Sequence, residues 1–232
     1  MKVTRAIILA GGRGTRLPEG ERDKAKSLVE INGKPILAYQ LEQLKRHGFK
    51  DICLALGYKA DQVVAWLKKN GYQDVRYVVE REPMGTGGGI KNALGKDNSP
   101  FIALFGDIVA DFNFPAIAGK SQDRDWSVLS GVHIPDVTGM GVLEYDSDNK
   151  VLAYKEKQAS AVPGFINGNA SLLFPSDFKD TPDKFSMELD FFPKLIRQRK
   201  LVLYHHPGFW FDCGTEDRLR KVREFFKEKN GK

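Results

Sequence analysis

Residues 6–17 read AIILAGGRGTRL. The apolar run from Ala6 to Ala10 stops abruptly at Gly11-Gly12-Arg13-Gly14-Thr15-Arg16. A short apolar run closed by glycines reads as a buried strand followed by a loop. Without Cβ atoms, the loop's backbone N–H groups can close on phosphate oxygens. The arginines add rigid, planar sets of donors that suit phosphate. A strand emptying into such a loop predicts an α/β fold that binds an anion beyond the strand's C-terminal end.

Strand and helix signals alternate through the first half of the chain. PILAYQLEQLKRHG (35–48) places Ile36, Tyr39, Leu41 and Leu44 at helical spacing and stops at Gly48; ADQVVAWLKKNG (60–71) is a second helix, also closed by glycine. DICLALG (51–57), VRYVVE (75–80) and PFIALFGDI (100–108) read as strands, and TGGGIKNALG (86–95) as a glycine-opened helix. Near-continuous apolar strands separated by helices imply a parallel sheet covered on both faces. In the second half WSVLSGVHI (126–134), GVLEYDSDNKVLAYKEK (141–157), ASLLF (170–174), LVLYHH (201–206) and FWFDCG (209–214) read as strands. MELDFFPKLIRQ (187–198) and EDRLRKVREFFKEK (216–229) read as helices, the last with Leu219, Val222, Phe225 and Phe226 on one face. With no repeat, linker or low-complexity segment, the expectation is one domain over 1–232, its second half extending a mixed sheet to carry a second substrate.

The chain has 232 residues, 41% of them hydrophobic, enough for the core of one large α/β domain. No run of about 18 apolar residues suggests a membrane span, and the first residues lack a signal peptide's apolar segment. Cys53 and Cys213 lie far apart in no metal-ligand spacing, which predicts two reduced, buried thiols and a cytoplasmic location. The net charge of +6 and pI near 9.2 favour anionic partners. The charge is scattered, without a basic tail or an aromatic-basic repeat, so small anions are expected and nucleic acid and membrane are not. Two familiar glycine loops do not fit: the dinucleotide fingerprint lacks its third glycine, and the P-loop lacks its Gly-Lys-Ser/Thr.

LAGGRGTRL (9–17) resembles the signature of the sugar-1-phosphate nucleotidylyltransferases, and Lys26 follows at the spacing of that family's lysine. The resemblance continues in order through EREPMGTGGGIKNAL (80–94), FGDIVAD (105–111), YKEK (154–157), FINGN (165–169) and FDCGTEDRL (211–219). It implies a Rossmann-like nucleotidyltransferase fold: a mixed, mostly parallel central sheet, helices on both faces, and a sugar-binding extension in the second half. A nucleotide half would span about 1–112 and a sugar-phosphate half about 113–232. The sequence departs from the pattern at Ala25-Lys26-Ser27, where Pro-Lys-Pro is usual, at Glu156-Lys157-Gln158, and at Ser171, where relatives often carry tyrosine. The loop PEGERDKA (18–25) is unusually charged. No add-on acetyltransferase or allosteric domain is expected.

In this family a sugar-1-phosphate oxygen attacks the α-phosphorus of a nucleoside triphosphate and pyrophosphate leaves. The attacker is already an anion, so cations, a metal and alignment are needed rather than a general base. By resemblance, Arg16 grips the β/γ-phosphates and Lys26 the α-phosphate. Leu9, Ala10, Gly11, Gly12, Gly14 and Thr15 line the nucleotide, with Arg13 a lesser candidate. Glu82, Gly85, Thr86 and Gly87 border the base, and the helix opened by Gly85–Gly89 would offer backbone donors to the nucleotide. Asp107 and Asp212 would share a Mg²⁺. Lys157 would meet the sugar phosphate, Glu156 and Asn167 its hydroxyls, and Gly141 would let the sugar approach backbone. Self-association, frequent among relatives, is also implied.

Within the family the chain looks most like the D-glycero-D-manno-heptose 1-phosphate guanylyltransferases, which favours GTP. Alternatives are mannose-1-phosphate guanylyltransferases, N-acetylmuramate-1-phosphate uridylyltransferases, glucose-1-phosphate thymidylyltransferases, phosphocholine cytidylyltransferases, and a regulatory subunit that keeps the fold without turnover.

Overall fold

The structure, a computed structural model, describes residues 1–121, 126–155, 159 and 161–230. Thirteen strands follow in chain order: β1 (Arg5–Ala10), β2 (Glu30–Ile31), β3 (Lys34–Pro35), β4 (Asp51–Leu56), β5 (Arg76–Val79), β6 (Phe101–Phe105), β7 (Ile108–Ala110), β8 (Ser127–Ile134), β9 (Val142–Tyr145), β10 (Val151–Lys155), β11 (Gly164–Leu173), β12 (Leu201–His205) and β13 (Trp210–Asp212). The helices are α1 (Ile36–Arg46), α2 (Ala60–Lys69), α3 (Gly85–Ala93), α4 (Phe114–Lys120), α5 (Phe192–Arg197) and α6 (Glu216–Asn230). Nine strands form one sheet in the order β10-β9-β11-β6-β1-β4-β5, with β8 against β11 and β12 beyond β8. The expected mixed sheet is present. It is parallel through β6, β1, β4 and β5, antiparallel where β11 joins, and parallel again between β8 and β12.

Helices cover both faces, as the apolar strands foretold. Successive side chains of a strand point to opposite faces, so each central strand feeds two cores. Ile8, Leu54 and Leu104 pack on one face with Leu41 of α1, Val63 of α2 and Ile117 of α4. Ile7, Cys53 and Ala103 pack on the other with Ile90 of α3 and Leu195 of α5. Burying each large aliphatic side chain contributes roughly 1.5–3 kcal/mol over leaving it exposed. Cys53 and Cys213 are buried and free, and burial pushes both thiols up from their ordinary pKa. No helix among the described residues is long and apolar enough to cross a membrane.

A third, smaller core holds α6. Leu219, Val222 and Phe226 pack on Leu17, on Ile31 of the β2–β3 ribbon and on Val109 of β7, with Phe225 partly buried beside them. This cluster joins the end of the chain to the loop after β1. Two elements differ from expectation. The strand read at 170–174 begins at Gly164, because both its edges are paired, to β8 and, at Ile166, to β9. The helix read from Met187 opens as a π turn, Met187–Phe191, before α5.

Candidate active site

Three adjoining clefts lie beyond the C-terminal ends of β1, β4 and β6. The first, about 470 Å³, is lined by Leu9, Gly11, Gly12, Glu82, Gly85 and Thr86, joined by Arg13, Gly57, Tyr58, Glu80, Arg81 and Pro83. A small pocket of about 140 Å³, lined by Leu9, Ala10, Gly12, Lys26, Ser27, Thr86, Phe105, Gly106 and Asp107, adjoins it. Phe105 carries the wall onward to a third cleft of about 510 Å³, which holds Arg16, Gly141, Asn167 and Asp212 together with Gly139, Met140, Tyr154, Ile166, Asn169, Glu188, Trp210 and Arg218. A first cleft, a narrow floor and a wide polar cleft therefore succeed one another.

The glycine loop leaves its backbone open. Among the described residues, the N–H groups of Gly12, Arg13, Gly14, Thr15 and Arg16 make no protein hydrogen bond. Gly14 sits against Lys26, and Thr15 is exposed; neither lines a cleft. Gly11 and Gly57 have a different task. A Cβ at Gly11 would fall 3.3 Å from Glu80 Oε1, and one at Gly57 would fall 2.5 Å from it. The two glycines make room for a carboxylate at the first cleft, where Glu80 Oε2 also accepts from the Met84 N–H at 3.3 Å.

The second glycine run is filled from behind. The N–H groups of Gly87 and Gly88 donate to the Phe185 carbonyl, at 3.0 and 3.3 Å. A Cβ at Gly85 would fall 2.5 Å from that same oxygen, and Gly87 lies beneath the Phe185 ring. The expectation that this helix start offers its backbone donors to a nucleotide is corrected at Gly87 and Gly88 alone, whose donors are spent on Phe185, and Gly87 lines none of the clefts, whereas Gly85 and Thr86 do. Here glycine permits close packing of segment 183–187.

The floor carries the charge. β7 and β13 form an antiparallel ribbon in which Asp212 faces Ile108 and the Cys213 N–H donates to the Asp107 carbonyl at 2.8 Å. Asp107 and Asp212, 105 positions apart in sequence, thus become neighbours. Lys26 Nζ pairs with Asp107 Oδ2, and Arg218 Nη1 with Asp212 Oδ2. Asp212 Oδ1 accepts from the Gly214 N–H at 2.7 Å. A Cβ placed at Gly214 would fall 2.8 Å from Asp212 Oδ1, 3.3 Å from Lys26 Nζ and 3.7 Å from Arg16 Nη2, so these three groups converge on one point. Both carboxylates are about four-fifths buried on their side chains. Two such carboxylates, each with a cation drawn against it, are a hard oxygen donor set that fits Mg²⁺, an ion that keeps several waters and needs few protein ligands.

Lys26 is held without flanking prolines. Gln62 of α2 accepts from the Ala25 N–H at 2.7 Å and donates to the Asp23 carbonyl at 2.9 Å. Arg22 Nε donates to the Leu17 carbonyl at 2.9 Å, and Arg223 of α6 reaches Glu21 at 2.7 Å. The charged residues of this loop are its fastenings.

On the acceptor side, a register shift in β11 between Asn167 and Ser171 leaves Asn169 at φ 61° and aims both asparagines into the wide cleft. Asn167 Oδ1 accepts from the Asn169 N–H at 2.8 Å, which fixes the amide's orientation and leaves its NH₂ and the oxygen's second lone pair facing the cleft. Ser171 is buried in β11 between β6 and β8 and lines no cleft. Glu156 and Lys157 lie outside the described residues. His206 is buried, its Nε2 3.0 Å from the Phe209 carbonyl and 3.3 Å from Asp111, in keeping with structural roles for both. Glu80, Gly57, Tyr58, Gln62, Glu188 and Arg218 were not singled out from sequence. Glu80 and Arg218 stand inside the quoted motifs 80–94 and 211–219, and Gly57-Tyr58 directly follows the end of β4.

The charged floor thus lies beyond the C-terminal ends of parallel strands. Residues 5–229 match the sequence profile of the Nucleotidyl transferase family, and the chain belongs to that family. It is 36% identical over 220 residues to the mannose-1-phosphate guanyltransferase of Aspergillus fumigatus, covering 90% of this chain, and 34% identical to that of Emericella nidulans. The chain spans about 60% of the length of these relatives. Among solved structures it is similar to HddC from Yersinia pseudotuberculosis complexed with GMP-PN, with a TM-score of 0.83 and 34% identity over 97% of this chain and 100% of that one.

Proposed function

We propose that this chain transfers a guanylyl group from GTP to a sugar 1-phosphate, releasing pyrophosphate and forming a GDP-sugar. The observation that carries the reading is the succession of clefts, with Lys26, Arg16, Asp107 and Asp212 gathered between the base side and the acceptor side. Residues 1–112 supply most of the nucleotide side and 113–232 most of the acceptor side, though Arg16 and Phe105 reach into the latter.

Guanine is favoured by Glu80. Its carboxylate only accepts hydrogen bonds, and guanine presents two adjacent donors, N1–H and the 2-amino group, along one edge. Uracil and thymine present a single N–H between two carbonyls, which a carboxylate would oppose. The relatives named as guanyltransferases, and the neighbour complexed with GMP-PN, support the same base.

The open N–H groups of the loop after β1 receive triphosphate oxygens, Arg16 steadies the departing pyrophosphate, and Lys26 meets charge growing on the α-phosphoryl group. The acceptor's phosphate oxygen forms the new bond to the α-phosphorus as the bond to the β-phosphate bridging oxygen breaks; no proton need be removed. Asp107 and Asp212 would hold Mg²⁺, which would supply charge neutralisation at the α-phosphate. Lys157, with Glu156, remains our candidate for the sugar phosphate and its ring. A heptose or mannose 1-phosphate is the favoured acceptor. A cytoplasmic location follows from the free cysteines and the energy-rich substrates.

A pyrophosphate-release matrix of GTP, ATP, UTP, dTTP and CTP against a panel of sugar 1-phosphates with Mg²⁺ tests this. The expected result is turnover with GTP at the highest kcat/KM. A higher value with another triphosphate overturns the guanylyl reading, and nucleotide binding without turnover anywhere in the matrix overturns the enzyme reading.

A further inference from the structure

Glu188 stands in the π turn Met187–Phe191, and such turns gather at functional sites. Ser186 caps that turn, its Oγ accepting from the Glu188 and Leu189 N–H groups at 3.2 Å each. The Glu188 carboxylate lines the acceptor cleft. Its Oε2 accepts from Thr86 Oγ1 and from Ser186 Oγ, both at 2.9 Å, while Thr86 Oγ1 itself accepts from the Met187 N–H at 2.8 Å. Two hydroxyls therefore hold the carboxylate in one orientation, and one of them belongs to the base side of the site. Oε1 makes no protein hydrogen bond, and Glu188 no ion pair, among the described residues.

Among the described residues, the other carboxylate lining this cleft, Asp212, is committed to Arg218 and to the Gly214 N–H. Glu188 is thus, among the described residues, an oriented acceptor with one oxygen open and no cation paired with it. It would repel the acceptor's phosphate and attract a hydroxyl. We propose that Glu188 is a specificity-determining residue for the acceptor. Oε1 accepts a hydrogen bond from one ring hydroxyl of the sugar, so that the site rejects the analogue deoxygenated at that carbon. A site built to bond a hydroxyl discriminates against its absence, because the half-buried carboxylate is left without that partner once the sugar covers it. The inference rests on the reading of the wide cleft as the acceptor site.

The test compares wild type, Glu188→Ala and Glu188→Gln with the best sugar 1-phosphate and with its monodeoxy analogues. Wild type should disfavour one deoxy analogue by roughly tenfold or more in kcat/KM. Glu188→Ala should raise KM for the parent acceptor by a similar factor, leave KM for GTP within about twofold, and no longer separate parent from that analogue. The glutamine variant keeps the side chain's volume and should fall between them; it decides the matter if the alanine variant does not fold. Unchanged discrimination in a folded variant, or an effect confined to GTP, overturns this inference alone. A wild type that turns over no sugar 1-phosphate overturns it together with the functional reading beneath it.

Discussion

At the scale of single residues, Glu80 and Glu82 show how position outweighs identity. Both line the first cleft, proposed above to take the base, and sequence resemblance singled out Glu82. The carboxylate that Gly11 and Gly57 make room for is that of Glu80. The pairing of Gly57 with Glu80 arises because β4 and β5 run side by side, a tertiary fact that no local pattern carries. Glu80→Gln should lower kcat/KM for GTP by about 10- to 100-fold, since a hydrogen bond to a charged group contributes about 1.5–3 kcal/mol. The loss for UTP should be smaller, so the GTP-to-UTP ratio narrows. Steady-state kinetics with both nucleotides checks it; an unchanged ratio would remove Glu80 from base selection.

At the scale of elements, the loop carrying Lys26 and the helix α3 reverse two first impressions. Ala25-Lys26-Ser27, without the usual prolines, suggests slack, yet Gln62 ties the backbone of Asp23 and Ala25, on either side of Lys24, to α2. The glycines of α3 suggest an anion cradle, yet they accommodate Phe185 and Asp183. Composition announced both segments as special but could not say what fills them, because the filling residues come from elsewhere in the chain. Gln62→Leu removes both hydrogen bonds at nearly constant volume. It should lower kcat roughly tenfold while KM for GTP and the melting temperature change little, as expected when a positioning contact to Lys26 is lost. A kcat equal to wild type would show that the loop holds Lys26 without Gln62.

At the scale of the whole molecule, the alternation of strands and helices, the parallel first half and the mixed extension were legible because burial on both faces writes itself into continuous apolar runs. AIILA, DICLAL and FIALF sit together as β1, β4 and β6, in register along their lengths. The charge on the site's floor was legible only in part. Each aspartate ends or follows an apolar run, but it takes the β7–β13 ribbon to make neighbours of Asp107 and Asp212, and α6 to bring Arg218 against the latter. In the proposed reaction these two carboxylates act as one unit between nucleotide and acceptor. Pyrophosphate release measured for Asp107→Asn, Asp212→Asn and the double variant, alongside their melting temperatures, tests it most directly. Each single variant should remain folded and lose about 10²-fold in kcat, close to 3 kcal/mol, and the double variant should be little worse than either. Near-wild-type turnover in either single variant, or losses that multiply in the double, would contradict it.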